Sequence, residues 1–225
     1  MTAMRRVVRE HSLSIVTLGM FLVIWLGGQV WAGHRTYNDE QRSHGQPTVS
    51  VADYLTRAEF GEATFENWES EFLQMGVYVL LTAWLVQKGS AESRPPEGDG
   101  SFGEDPSEHS DDAESPWPVR RGGLVLQVYE RSLGIALLGL FLLAFLGHLV
   151  TGARAFNAEQ LEHGGTPVST VGYLFRSQFW FESLQNWQSE FLAVGVLVVL
   201  SIFLRQRGSP ESKPVHAPHH QTGSE

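Results

Sequence analysis

Four apolar runs stand out from an otherwise polar chain. Leu13 to Ala32 and Leu133 to Thr151 each hold about twenty residues without a charge, enough as helices to cross a hydrocarbon core of roughly 30 Å. Phe72 to Val86 and Phe191 to Leu204 are shorter. They reach a full span only if their helices include the polar turns that start near Asn67 and Asn186. Long apolar runs paired around polar inserts predict an all-α integral membrane protein. The expected architecture is four transmembrane helices in two tandem hairpins, with short amphipathic helices on the outer face. Arg5, Arg6 and Arg9 precede the first run, as they would in a signal peptide. The same element recurs in mid-chain, so a retained span is expected.

The second half repeats the first. At a shift of about 119 residues, the stretch from Arg35 to Ser93 aligns with Arg154 to Ser212, the signature of an internal duplication. Asn38-x-Glu40-Gln41-x-x-His44-Gly45 returns as Asn157-x-Glu159-Gln160-x-x-His163-Gly164, and Asn67-Trp68-Glu69-Ser70-Glu71-Phe72-Leu73 as Asn186-Trp187-Gln188-Ser189-Glu190-Phe191-Leu192. The expected division is a first hairpin repeat over 11–93 with its insert at 33–69, an acidic linker over 94–127, a second repeat over 128–212 with its insert at 152–188, and a polar tail over 213–225. An even number of spans per repeat keeps both copies in one orientation, with a pseudo-two-fold axis along the membrane normal.

Charge sets the orientation. Arg5, Arg6, Arg9, Lys88, Arg94, Arg120, Arg121, Arg131, Arg205, Arg207 and Lys213 fall on one side of the spans, and only Arg35, Arg42, Arg57, Arg154 and Arg176 on the other. The positive-inside rule then places both termini and the linker in the cytoplasm, and the inserts outside. The net charge of −9 argues against a nucleic-acid partner. With no cysteine, disulfides and thiolate chemistry are excluded. Residues 89–118 are rich in Glu, Asp, Ser, Gly and Pro, and the tail carries His216, His219 and His220; both segments are expected to be disordered and solvated.

The inserts carry the candidate chemistry. Asn38 and Asn157 are expected to cap short helices that end at Gly45 and Gly164. On those helices Glu40 and His44 share a face, as do Glu159 and His163, which makes each pair a weak metal-ligand candidate. The plainer account is a hydrogen-bonded pair. Ser50 and Ser169 are expected to cap second external helices running to about Glu59 and Gln178. The aromatics around them suit an interfacial belt, with a pigment or lipid pocket as the sharper alternative. Asn67 and Asn186 are read as caps of the entering spans, with Glu71 and Glu190 in the first turns. An inter-helix polar network is expected from Asn67, Trp68, Ser70 and Glu71 together with Asn186, Trp187, Ser189 and Glu190. Arg57 and Arg176, or Arg35 and Arg154, would partner the carboxylates. His148 is a further ligand candidate, although only one copy has it.

The two boxes, with the Gln-x-Gly-Ser-x-Glu-Ser exit at 87–93 and 206–212, resemble an uncharacterised family of small bacterial four-helix inner-membrane proteins, a domain-of-unknown-function family. The resemblance implies four spans in a bacterial plasma membrane and brings neither activity nor cofactor. One departure within the boxes is Glu69, where the second copy has Gln188. No catalytic set is evident, so the expected function is non-catalytic: a structural or accessory subunit binding lipid and other membrane proteins, for example in a respiratory or photosynthetic complex. The alternatives are a metal site built on the Glu/His pairs, hydrolase-like, and an oligomeric cation channel with a ring of Glu71 and Glu190.

Overall fold

A computed structural model describes residues 3–95 and 104–222. Part of the acidic linker and the last tail residues, both expected to be disordered, lie outside the described residues. Helix is the only regular structure among those described. Helix α1 (Ala3–Glu10) precedes α2 (Ser12–Ile24), which runs through a π-helical segment, Trp25–Ala32, into α3 (Gly33–Ser43). The short α4 (Val51–Tyr54) leads into α5 (Ala58–Trp84). A 3-10 turn (Pro106–His109), α6 (Trp117–Arg121) and α7 (Gly123–Glu130) follow. Then come α8 (Ser132–Glu162), α9 (Thr170–Leu174) and α10 (Ser177–Phe203).

Among the described residues, three helices are long and apolar enough to cross a membrane: Ser12–Ser43, Ser132–Glu162 and Ser177–Phe203. No residue in the most apolar window of Ser12–Ser43 is buried by protein. α5 matches α10 in length, at 27 residues. Its first half, however, carries Glu59, Glu62, Glu66, Glu69 and Glu71, which keeps it out of the apolar group.

Local signals explain the shorter elements. Ser50 forms a complete capping box: Asp53 N–H donates to Ser50 Oγ at 3.2 Å and Ser50 N–H to Asp53 Oδ2 at 3.4 Å. Ser169 Oγ accepts from Gly172 N–H at 3.0 Å. Gly45 and Gly164, with φ of +70° and +72°, end α3 and α8 in the left-handed region that glycine tolerates. The second external helices are much shorter than expected. α4 stops at Tyr54, and Arg176 takes an extended backbone (φ −84°, ψ 142°) that separates α9 from α10.

Two compact units divide the chain, and they do not coincide with the repeats. One comprises Met1–Phe65 and Gly147–Phe175, the other Glu66–Leu146 and Arg176–Glu225. In the first unit, Tyr54 and Tyr173 are buried at equivalent places, and each ring lies against a glycine. A Cβ on Gly152 would meet Tyr173 Cε1 at 2.9 Å, and a Cβ on Gly33 would clash with the Tyr54 hydroxyl. The second unit packs Leu138 against Gly76, at 3.3 Å from where a Cβ would sit, and sets Phe145 edge-on to the fully buried Phe179.

The ends of the repeats, the first linker residues after them and the tail carry hydrogen bonds of their own, although disorder was expected from Gly89 and from Lys213 onward. At 87–93 and 206–212 the chain forms the same loop twice. Gln87 N–H donates to Ser93 Oγ at 2.7 Å and Gln206 N–H to Ser212 Oγ at 2.8 Å. Glu92 N–H and Glu211 N–H donate to Ser90 Oγ and Ser209 Oγ, each at 3.2 Å. Ser90 Oγ lies 2.6 Å from Ser201 Oγ on α10, both hydroxyls buried. In the tail, Lys213 is only 2% exposed, and its ammonium donates to the carbonyls of His219 and Gln221, both at 3.0 Å. Apolar content is low here, and hydroxyl and main-chain hydrogen bonds supply the order instead.

Candidate functional site

The repeated polar boxes become two sets of contacts. In the first unit, Asn38 is a clamp and not a cap, because it lies inside α3 with its amide facing the returning chain. Its Oδ1 accepts from Val49 N–H at 2.8 Å and its Nδ2 donates to Val49 O at 3.0 Å. Asn157, inside α8, holds Val168 in the same way, at 2.7 and 2.8 Å. A carboxamide offers a donor and an acceptor side by side, so each Asn pairs with both main-chain groups of one residue, as a neighbouring strand would. His34 adds a ring nitrogen 2.9 Å from the same Val49 carbonyl.

In each Glu/His pair the imidazole lies against main chain. His44 Nδ1 lies 3.0 Å from the main-chain oxygen of Glu40, and His163 Nδ1 lies 2.9 Å from that of Glu159. Among the described residues, no group of three or more His, Asp or Glu side chains is placed to hold a metal ion.

In the second unit, the Asn-Trp-x-Ser-Glu-Phe-Leu boxes meet across α5 and α10. Asn67 and Asn186 are not caps, since their helices begin at Ala58 and Ser177. Glu71 and Glu190 consequently lie far from the helix starts. Asn186 Nδ2 donates to Glu66 Oε1 at 2.5 Å, and Trp187 Nε1 donates to Glu69 Oε1 at 3.2 Å. Gln74 Nε2 reaches the main-chain oxygen of Glu190 at 3.5 Å. The Trp187 ring is held edge-on by Phe141 and Trp180, with centroids at 6.3 and 6.5 Å. Ser70 and Ser189 each donate to the carbonyl three residues back, at 2.8 Å.

The two copies share this network unequally. Glu69 and Ser70 are buried, whereas their counterparts Gln188 and Ser189 are exposed. Glu71 and Asn67 are exposed too, and Trp68 is half-buried. Arg57 is exposed and acts electrostatically on Asp53. Arg176 is exposed at the head of α10. The residues that sequence reasoning missed are Glu66, Glu69 and Gln74 on α5 and Phe141 on α8. One signal for them was present: Glu69 is an acidic position that the second copy lacks. Buried carboxylates persist where donors meet them, which the indole of Trp187 does for Glu69.

A third cluster closes the second unit at the exit loops. Tyr78 donates its hydroxyl to Glu92 Oε2 at 2.8 Å. Burial pushes the Glu92 carboxyl above the usual range; the Tyr78 hydrogen bond opposes this, and the negative field of Glu211 adds to it. Burial also lowers the Lys213 ammonium, assisted by Arg205. In all three clusters, the described polar side chains bond chiefly to one another and to main chain. No curated protein and no solved structure matches the sequence. The profile for a domain of unknown function, DUF6766, matches residues 4–224, nearly the whole chain, and the protein belongs to that family.

Proposed function

We propose that the protein is a non-catalytic structural subunit of the membrane, one that binds other membrane proteins. The observation behind this reading is where the repeated polar groups go. Asn38 and Asn157 grip main chain, while Asn186 and Trp187 bind Glu66 and Glu69. The chemistry-bearing residues are thereby used in holding helices together. The long apolar helices keep most of their surface for lipid or for neighbouring helices.

In this reading α5 is the fourth span, with its glutamates gathered towards one end and satisfied there. The two hairpins are related by a pseudo-two-fold axis along the normal of a bacterial plasma membrane, with termini inside and inserts outside. Purification in mild detergent at native expression, with mass measurement of whatever co-migrates, tests the function. A stable heteromeric complex is expected. A lone monomer or homodimer overturns the subunit reading.

A further inference from the structure

A polar groove of about 440 Å³ opens where the first apolar run gives way to its insert, lined by Trp31, His34, Arg35, Asn38, Asp39 and Arg42. It lies wholly within one compact unit. The helix that carries it, Ser12–Ser43, is apolar enough to cross a membrane, and its apolar run ends at Ala32. At about 1.5 Å per residue, Arg35 stands about 5 Å beyond that end. That is the depth of the headgroup layer flanking a hydrocarbon core of roughly 30 Å.

Charge and geometry define what fits. The Arg35 guanidinium lies over the exposed Trp31 ring, 4.6 Å from its centroid. Stacking occupies the face of a guanidinium and leaves the N–H donors at its edge for a phosphate or carboxylate. Among the described residues, no carboxylate pairs with Arg35. Arg42 donates to Asp39 Oδ1 at 2.7 Å in an exposed pair, and such pairs are weak enough to exchange partners. His34 and Asn38 are committed to the Val49 main chain. Arg35 and Arg42 against Asp39 give the lining an excess of positive charge.

The duplication separates this charge from the fold. At the shift of about 119 residues, Arg35 and Asn38 return as Arg154 and Asn157. Trp31, His34, Asp39 and Arg42 become Val150, Ala153, Ala158 and Leu161. The Asn clamp is common to both copies, but the aromatic seat and the charges around it belong to the first alone. The second copy builds the same helix and clamp without them.

We infer that this groove binds the phosphate of an anionic phospholipid in the leaflet that faces the inserts. Arg35, seated on Trp31, donates to the phosphate oxygens, and Arg42 reaches the headgroup from the turns above. The inference takes from the proposed function only that Ser12–Ser43 spans the membrane, and it holds for a subunit and for a lone protein alike. A soluble phosphate would answer Arg35 but not the exposed indole at the apolar boundary, where tryptophan meets lipid.

The test is native mass spectrometry of the purified full-length protein in mild detergent, titrated with dioleoylphosphatidylglycerol. Saturable binding is expected, with dioleoylphosphatidylcholine about fivefold weaker. Arg35→Gln should weaken phosphatidylglycerol binding about fivefold, whereas Arg154→Gln, its counterpart in the second copy, should leave it unchanged. Trp31→Leu withdraws the ring beneath Arg35 and should weaken binding about threefold. Should Arg35→Gln fail to fold by circular dichroism, Trp31→Leu decides in its place, and unchanged binding there overturns the inference. So does a folded Arg35→Gln that binds as the wild type does, an equal loss in Arg154→Gln, or no preference for phosphatidylglycerol over phosphatidylcholine. If glycerol 3-phosphate displaces the lipid at equal concentration, the groove takes soluble phosphate and the lipid assignment is overturned.

Discussion

A carboxamide carries its donor and acceptor at nearly the spacing of a peptide group, and Asn38 and Asn157 use that match to tie the chain after Gly45 and Gly164 back to the preceding helices. Asn38→Ala leaves the N–H and C=O of Val49 without this partner. It should destabilise the protein by about 1–3 kcal/mol in thermal unfolding in detergent, with Asn38→Asp, which keeps only the acceptor, in between. Glu92 gives a pH signature. Its folded-state carboxyl titrates above the ordinary value of 4.5, so near that pH the folded chain holds more protons than the unfolded one. Its ionisation therefore opposes folding increasingly as pH rises through that window. Glu92→Gln should raise the melting temperature at pH 7 by on the order of a degree or two, and the advantage should vanish below pH 4.5. An equal gain at pH 4 and pH 7 would exclude the carboxyl's charge as the cause. Neither role was legible in the sequence: an Asn before a helical stretch reads as a cap whether or not another helix precedes it, and burial of Glu92 depends on Tyr78, fourteen residues away.

At the level of elements, α5 and α10 are joined through Trp187, whose indole serves the buried Glu69. Trp187→Phe keeps the ring among Phe141 and Trp180 but withdraws that donor. A loss of about 1–3 kcal/mol is expected, and Glu69→Gln, which still accepts, should cost less. If Trp187→Phe melts as the wild type does, the indole bond is not what joins these helices. Three span-capable helices and the capping serines were readable from the sequence, because apolar length and Ser-x-x-Asp are local signals. The start of α5 was not. Apolar periodicity marks a helix by what it buries in lipid or core, and here the period is carried by Glu59, Glu62, Glu66 and Glu69. Their spacing of three and four is helical, but its chemistry is acidic. The π-helical turn at Trp25–Ala32 left only the Gly27-Gly28 pair as a trace.

At the scale of the whole molecule, the proposed orientation rests on the bias of Lys and Arg and is open to direct measurement. Single cysteines at Gln46 and Ser107, introduced into this cysteine-free chain, should differ in intact cells. An impermeant maleimide should label the first and leave the second untouched until the membrane is broken, and the opposite pattern reverses the topology. Pairing by repeat was the natural expectation for organisation, since each copy reads as a self-contained hairpin. Each compact unit draws on both copies. A ribosome delivers residues in order, and Met1–Phe65 belongs to a unit that is finished only when Gly147–Phe175 has emerged. That is a lag of about 110 residues, on the order of 5–20 s at typical elongation rates. Throughout it the first copy has its own aromatic contacts, Tyr54 with His34, Tyr37 and Phe60, but lacks the rest of its unit. Slowing translation of the linker should therefore lengthen the exposure of this unfinished unit to quality-control proteases.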